Sequence, residues 1–193
     1  MDAGIITAIA LGIGLSASTG FRVFVPMLVA SIAAYFDVLP LNDSFEWLGS
    51  VPALITFGVA AIVEIVAYYV PFVDNVLDTI ATPMAVIAGT LLMTSVLPID
   101  DSLTRWVTGF IVGGGVSAVV QSGSVFSRLL SSQATAGMGN SAVSTGENVG
   151  AVGLSVGALF VPILIAIITL VLVIVIPIIV YRRRKYKKTH VDA

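Results

Sequence analysis

Charged side chains that interrupt long apolar stretches are the residues of this chain best suited to chemistry. Arg22 lies within "GLSASTGFRVFVP", inside an apolar run from Ile5 to Phe36. An arginine at the centre of a bilayer costs about 2.5–3.5 kcal/mol on insertion scales, so we expect it to face the bundle interior and to find a partner. The sequence favours Glu64, which shares a helix face with Tyr68 one turn further on. Such a pair either fixes helix packing or forms part of a ligand or proton site.

Two carboxylates in "PFVDNVLDTIATP" form a second candidate site. Asp74 and Asp78 are four residues apart, so on a helix they share one face, and Asn75 lies beside them. Paired carboxylates at a membrane edge bind a cation or relay protons. They equally well cap a helix, because acidic side chains are favourable at a helix N-terminus.

A polar stripe marks the fourth apolar stretch. Its spacing of i, i+4, i+7 and i+11 predicts one face of a helix. The stripe either bonds neighbouring helices together or lines a path that ends at its arginine. Its members are Ser117, Gln121, Ser124 and Arg128.

The polar run "STGENVG" supplies the last candidate. Ser144 and Glu147 have the spacing of a capping box at the start of a helix. A helix start also attracts anions through its free backbone amides. The full set of candidate substrate- or ion-binding residues is Arg22, Glu64, Tyr68, Asp74, Asn75, Asp78, Gln121, Arg128 and Glu147.

The composition of the chain indicates whether these residues lie in water or in lipid. The chain has 193 residues, of which 58% are hydrophobic and 10% charged, whereas soluble domains are about a quarter charged. Several windows exceed the roughly 18 apolar residues of a transmembrane helix, which predicts an all-α, polytopic membrane bundle. The chain has no cysteine and one histidine, His190, in its tail. This composition excludes thiol catalysis and a histidine-based metal or triad site. We expect no metal, no cofactor and no catalytic residues, and a protein that is not an enzyme; an intramembrane hydrolase that uses Asp74 and Asp78 is the least favoured alternative.

Five hydrophobic segments predict about five spans in one membrane domain, residues 1–181. A span needs about 20 residues, so the first and fifth segments are too long to be simple and are expected to break, tilt or re-enter. The segments cover about 4–36, 51–70, 78–97, 103–130 and 148–181.

The tail, residues 182–193, contains the basic run "RRRKYKK" directly after the fifth segment. This position predicts a cytoplasmic C-terminus by the positive-inside rule. Five spans then place the N-terminus outside, whereas a re-entrant hairpin in the first or fifth segment places it inside. A juxtamembrane basic cluster already has a role at the lipid surface, which argues against nucleic-acid binding.

The sequence also contains an internal echo. "VLPLNDSFEW" at Val38–Trp47 returns as "VLPIDDSLTRW" at Val96–Trp106, between apolar segments in both cases. The echo indicates two helical hairpins in the same orientation, or else loop chemistry that recurs by itself. Transporter folds are often built from such repeats. Two GxxxG pairs, Gly109/Gly113 and Gly153/Gly157, favour a homodimer.

Four stretches carry a family resemblance: "GLSASTGFRVFVP", "EWLGSVPAL", "AYYVPFVDNVLDTIATP" and "GGGVSAVVQ". They resemble a bacterial membrane family known as domain of unknown function 4126, and the likeness covers nearly the whole chain. The resemblance implies a small polytopic protein of the inner membrane. It implies no catalytic residue.

These observations favour a small transporter or channel for an anionic solute. The arginines would contact the anion, while Glu64 or Asp78 takes a proton or a cation. A second hypothesis is binding or translocation of an anionic lipid or lipid carrier, through a cavity that opens sideways. A third is a non-transporting assembly factor whose charges pair internally. The expected partners are membrane lipids, a small anion, a proton or cation, and a second copy of the chain.

Overall fold

The computed structural model describes residues 3–70, 73–135 and 138–189, and every regular element in these ranges is helical. The predicted all-α fold is therefore confirmed. The α-helices are α1 (Ala3–Thr19), α2 (Phe24–Tyr35), α3 (Val51–Ala67), α4 (Val73–Val96), α5 (Ser102–Thr108), α6 (Gly115–Thr135), α7 (Asn140–Phe160) and α8 (Pro162–Thr189). A 3₁₀ helix, Asp43–Gly49, precedes α3, and a π-helical turn, Gly109–Gly114, joins α5 to α6.

Several helices are apolar enough to lie in a membrane. Val76–Val96 and Ser102–Thr135 have the length and composition of a span. Asp43–Gly49 and Val51–Ala67 make a third if their 62° bend lies within one span. Shorter apolar helices cover Gly4–Thr19, Phe24–Tyr35 and Pro162–Val175. These helices support a membrane-embedded bundle, and the count of about five spans stays a prediction.

The first hydrophobic segment is broken, as predicted. α1 ends at Thr19 and α2 begins at Phe24. The hydroxyls of Ser18 and Thr19 donate to backbone carbonyls three residues earlier, at 2.6 and 2.7 Å, a bonding pattern that competes with the helix ladder. Gly20 allows the break to lie against α6, because an added Cβ would be 2.6 Å from the Cβ of Val120.

After the break the chain folds back on itself. Gly4 and Ile5, near the start of α1, line the same cleft as Pro40 and Leu41, which follow the end of α2. The start of α1 and the end of α2 therefore lie at one end of the bundle. The first segment is a helical hairpin with Arg22 in its turn.

The fifth segment is also broken, at Val161. Pro162 occupies the first position of α8, where its missing N–H costs nothing. Leu154 of α7 and Val173 of α8 pack against the same small core formed by α1 and α6, so α8 runs back beside α7. α7 itself begins at Asn140, earlier than the predicted start near residue 148.

The centre of the bundle is closely packed through small residues. The Ser117 hydroxyl donates to the carbonyl of Ser16 at 2.7 Å, which ties α6 to α1. Gly113 fits against α4 so closely that an added Cβ would lie 2.4 Å from the carbonyl oxygen of Gly89. The Gly109/Gly113 pair is therefore used inside the chain, and its predicted role in a dimer contact is wrong. Close backbone approach is what small residues provide in membrane helices.

The two loops with similar sequences, which begin "VLPLND" and "VLPIDD", meet at one end of the bundle. We name this end the loop end (residues 36–50 and 97–101). Asn42 connects the two loops. Its amide Nδ2 donates to three carbonyls at the end of α4, and its Oδ1 accepts from Arg105 Nη1 at 3.2 Å. The three carbonyls belong to Thr94 (3.0 Å), Ser95 (2.8 Å) and Leu97 (3.0 Å). A helix end leaves such groups without partners, so Asn42 caps α4. The sequence duplication itself stays a prediction.

The three consecutive glycines 113–115 allow a matched test of this packing. Gly113→Ala should lower the free energy of unfolding by about 1–3 kcal/mol, because the new methyl group meets backbone that cannot move aside. Gly115→Ala, where an added Cβ meets nothing within 4 Å, should leave stability unchanged or raise it by up to about 1 kcal/mol. Reversible unfolding in mixed micelles measures both variants. Equal effects would contradict the packing described here.

Candidate functional site

Arg22 is almost completely buried, with 1% of its surface exposed. Each nitrogen of its guanidinium donates a hydrogen bond. Nη1 lies 2.8 Å from Glu147 Oε2 and donates to the Phe21 carbonyl at 2.9 Å. Nε donates to Asn148 Oδ1 at 2.7 Å, and Nη2 donates to the Ser144 carbonyl at 3.2 Å. The turn between α1 and α2 is thus attached to α7 through one side chain.

Glu147 is shared between two arginines. Arg128 of α6 donates from Nε to Glu147 Oε1 at 3.1 Å and from Nη2 to Oε2, a bidentate contact. The Ser124 hydroxyl also donates to Oε1. We name Arg22, Arg128 and Glu147 the arginine–glutamate cluster. Charge-assisted, bidentate pairs of this kind are the strong hydrogen bonds of proteins.

The predicted capping box at Ser144 and Glu147 is wrong. α7 begins at Asn140, so both residues lie well inside the helix, and they are 0% and 4% exposed. A helix face that is polar but points inward resembles a loop in the sequence. This is also why Asn148, which accepts from Arg22, was missed, although it directly follows Glu147.

Tyr68, at the end of α3, lies against both arginines. The centroid of its ring is 3.9 Å from Cζ of Arg22 and 4.1 Å from Cζ of Arg128. The side chain is buried. Cation–π contacts reach about 2 kcal/mol when they are desolvated. The predicted site residue Tyr68 is therefore brought to the two arginines.

Asp78, on the second turn of α4, lies at the edge of the cluster. Its Oδ1 is 3.7 Å from Arg128 Nη1, and its side chain is 18% exposed. Arg128 Nη1 makes no hydrogen bond within the described part of the chain. The side chains of Asp74 and Asn75 lie outside the described residues. No group of three or more His, Asp or Glu side chains there is placed to hold a metal ion.

Glu64 does not pair with Arg22, so the partner predicted from the sequence is wrong. Glu64 Oε1 accepts from the backbone N–H of Val23 at 2.7 Å, and Oε2 accepts from that of Phe24 at 2.9 Å. These are the free amides at the start of α2, where a negative charge is stabilised by the helix dipole. The break turns the start of α2 towards α3, and its amides bind the carboxylate.

The polar stripe on α6 serves two purposes. All four residues are buried, so the predicted face is confirmed. Ser124 and Arg128 belong to the arginine–glutamate cluster, whereas Ser117 bonds to backbone carbonyls and joins helices. Gln121 lies between Ser117 and Ser124 on the same face, and the hydrogen bonds described for the cluster do not include it. At the level of Ser117 the stripe therefore joins α6 to α1, and a path along the stripe stays a prediction.

The cluster lies near the end of the bundle opposite the loop end, which we name the cluster end. α3 and α6 finish there, and α4 and α7 begin there. Arg128 is about 10 Å by helical rise from the end of α6, and Glu147 is equally far from the start of α7. Its depth, burial and charges make this cluster the candidate functional site.

The fold and this site define a class: an all-helical, membrane-embedded bundle with a buried, charged centre. The chain belongs to the family described as Domain of unknown function (DUF4126), whose profile matches residues 9–183. The match includes every residue of the cluster, and it confirms the family resemblance seen in the sequence. No curated protein and no solved structure matches the chain.

Removal of the shared carboxylate tests the cluster. Glu147→Gln leaves two buried arginines without their counter-charge, and we expect it to lower the free energy of unfolding by about 3–5 kcal/mol. Glu46→Gln, at an exposed position of the loop end, is the matched control and should be neutral. Denaturation in mixed micelles followed by circular dichroism measures both. A neutral Glu147→Gln variant would show that the cluster does not hold the helices together.

Proposed function

We propose that the protein carries a small inorganic or organic anion across the membrane. The observation that supports this is the sharing of one carboxylate, Glu147, between two buried arginines. Among the residues that the structure describes, these two positive charges share Glu147 as a closely bonded counter-charge, and Asp78 approaches Arg128 from the edge. An anion can therefore compete for a guanidinium without leaving a buried carboxylate unpaired.

Arg128 is the arginine we assign to the anion. Its Nη1 points towards Asp78 without a hydrogen bond, whereas each nitrogen of the Arg22 guanidinium donates at least one. A guanidinium recognises carboxylate, phosphate and similar planar or tetrahedral anions through its fixed fork of donors. The anion would thus replace Asp78 beside Arg128 and leave Glu147 in place.

Asp78 is the group we assign to the coupled proton. Glu64 is engaged with the amides of α2, while Asp78 is partly exposed at the edge. Protonation of Asp78 removes a negative neighbour of Arg128 and so raises the attraction of that arginine for an anion. A lower pH on the side from which Asp78 is reached therefore favours anion binding, which describes proton–anion symport.

A second candidate function is binding or translocation of an anionic lipid. It is favoured by an apolar groove of about 430 Å³ that opens sideways between α3 and α4 and has Tyr68 in its wall. A lipid headgroup would then be the anion that meets the arginines. The third hypothesis, an assembly factor, predicts neither solute flux nor lipid movement.

We place the protein in the inner membrane of a bacterium as a carrier rather than an enzyme, with a cytoplasmic C-terminus. The loop end supports this orientation, because its residues include no Lys or Arg, whereas the C-terminal end of α8 contains the basic run 182–188. Hydrogen bonds from Thr104 hold the pKa of the Asp101 carboxyl in one of these loops below its usual range. We keep the homodimer as part of the proposal: Gly153 leaves space on the outer face of α7, whereas Gly157 of the same pair already packs against Ile165 of α8.

Flux into proteoliposomes tests the proposal. Vesicles that contain a pH-sensitive dye receive an inward gradient of chloride, nitrate or phosphate, and internal acidification beyond that of protein-free vesicles reports symport. Arg128→Gln should lower the rate of the active anion at least about tenfold, because a hydrogen bond to a charged group is worth about 1.5–3 kcal/mol. Arg105→Gln removes an arginine of α5, next to the loop end and far from the cluster, and should keep the rate of the wild type.

The Asp78→Asn variant tests the coupling between proton and anion transport separately from folding. This variant should still move the anion, but without acidification and without dependence on external pH, since its amide takes no proton. If no anion moves, or if Arg128→Gln and Arg105→Gln behave alike, the carrier function is wrong. Movement of a fluorescent phosphatidylglycerol between leaflets in the same vesicles would instead support the lipid candidate.

A further inference from the structure

A groove separates α3 from α4, although these helices follow each other in the chain. α3 packs on α2 and α4 packs on α1 and α6, while the two make little direct contact within the described residues. The space between them has a volume of about 430 Å³. Its walls are almost wholly apolar, with Val59 and Val63 on one side and Leu77, Ile80 and Met84 on the other.

The groove opens outwards, where the bundle faces the membrane. Val59 is 58% exposed and Ile80 54%, and the neighbouring outer faces of both helices are also apolar. Water is a poor occupant, because a buried water needs two to four polar partners. A void is also unfavourable, since wall atoms lose their dispersion contacts. The remaining apolar material at this depth is the acyl chain of a lipid.

The length of the groove fits one leaflet. It extends along α3 from Ile55 to Tyr68, a distance of about 20 Å by helical rise. Half of the hydrocarbon core of a bilayer is about 15 Å thick. The groove therefore accommodates a single chain that enters from one leaflet, and its end at Tyr68 lies at the cluster end.

The inner wall joins the groove to the charged cluster. Glu64 is part of this wall, but both of its oxygens are engaged by the amides of α2, so it presents no unpaired charge to the groove. Tyr68 contributes to the same wall, and its ring also contacts Arg22 and Arg128. Tyr68 is thus the partition between lipid and the arginine–glutamate cluster.

We propose that the groove holds one acyl chain of a phospholipid from the leaflet at the cluster end. The chain fills the space between α3 and α4 and supports the Tyr68 ring against the two arginines. The bound phospholipid is a resident component of the protein and not its transported substrate. This inference rests on the groove alone and is independent of the anion-carrier function, whereas the second candidate function would make the lipid in this groove a substrate.

Native mass spectrometry of the purified protein tests the proposal. The full chain is stripped of lipid by prolonged washing in detergent and then titrated with palmitoyl-oleoyl phosphatidylglycerol. The wild type should bind one phospholipid per chain. Ala60→Phe places a ring inside the groove and should abolish that binding, whereas Ile87→Phe, on the exposed face of α4 outside the groove, should retain it.

A smaller filler, Ala60→Leu, guards against misfolding of the phenylalanine variant and should weaken binding if the monodisperse protein is recovered. A wild type that binds no phospholipid would overturn the proposal. Equal binding by the wild type, Ala60→Phe and Ile87→Phe would overturn it too. Flux of an anion in proteoliposomes is a separate measurement, so failure of the lipid site and failure of the carrier function are distinguishable.

Discussion

The sharing of Glu147 between Arg22 and Arg128 is the interaction on which the rest of the structure depends. It connects the α1–α2 turn, α6 and α7 at one buried point. Tyr68 adds the end of α3, and Asp78 adds the start of α4. Charges at this depth are tolerated only when each has a partner, so the packing of these helices and the neutralisation of the charges are the same problem. Whatever the protein transports or binds has to preserve that balance.

The helix breaks make this arrangement possible. An unbroken helix over the first segment, residues 4–36, would be about 50 Å long, well beyond the roughly 30 Å hydrocarbon core. The turn at Gly20 shortens the segment and places Arg22 inside the bundle. It also exposes the amides at the start of α2, which Glu64 then caps. One local change of backbone therefore explains the positions of two charged residues that an unbroken helix would leave in lipid.

Much of this architecture follows from the sequence, because composition and segment length depend on the solvent and not on the tertiary fold. The helical class, the two breaks and the burial of Arg22 were predictable on that basis. The partner of Arg22 was not, since the choice between Glu64 and Glu147 depends on which helices become neighbours. The start of α7 was missed for a related reason: its first turns are small and polar, which is typical of a loop, but their polar groups face inward. The contact between Asn148 and Arg22 was missed for the same reason.

The wide sequence separation of these contacts has a consequence for synthesis. Arg22 finds its carboxylate 125 positions later in the chain, and the amide of Val23 finds its acceptor 41 positions later. At ribosomal rates of about 5–20 residues per second, the arginine waits on the order of 10 s for Glu147 to emerge. During that interval the first hairpin lacks Glu147, the counter-charge of Arg22. At first it also lacks Glu64, which caps α2. Its final depth in the membrane is therefore decided late, by helices that leave the ribosome after it.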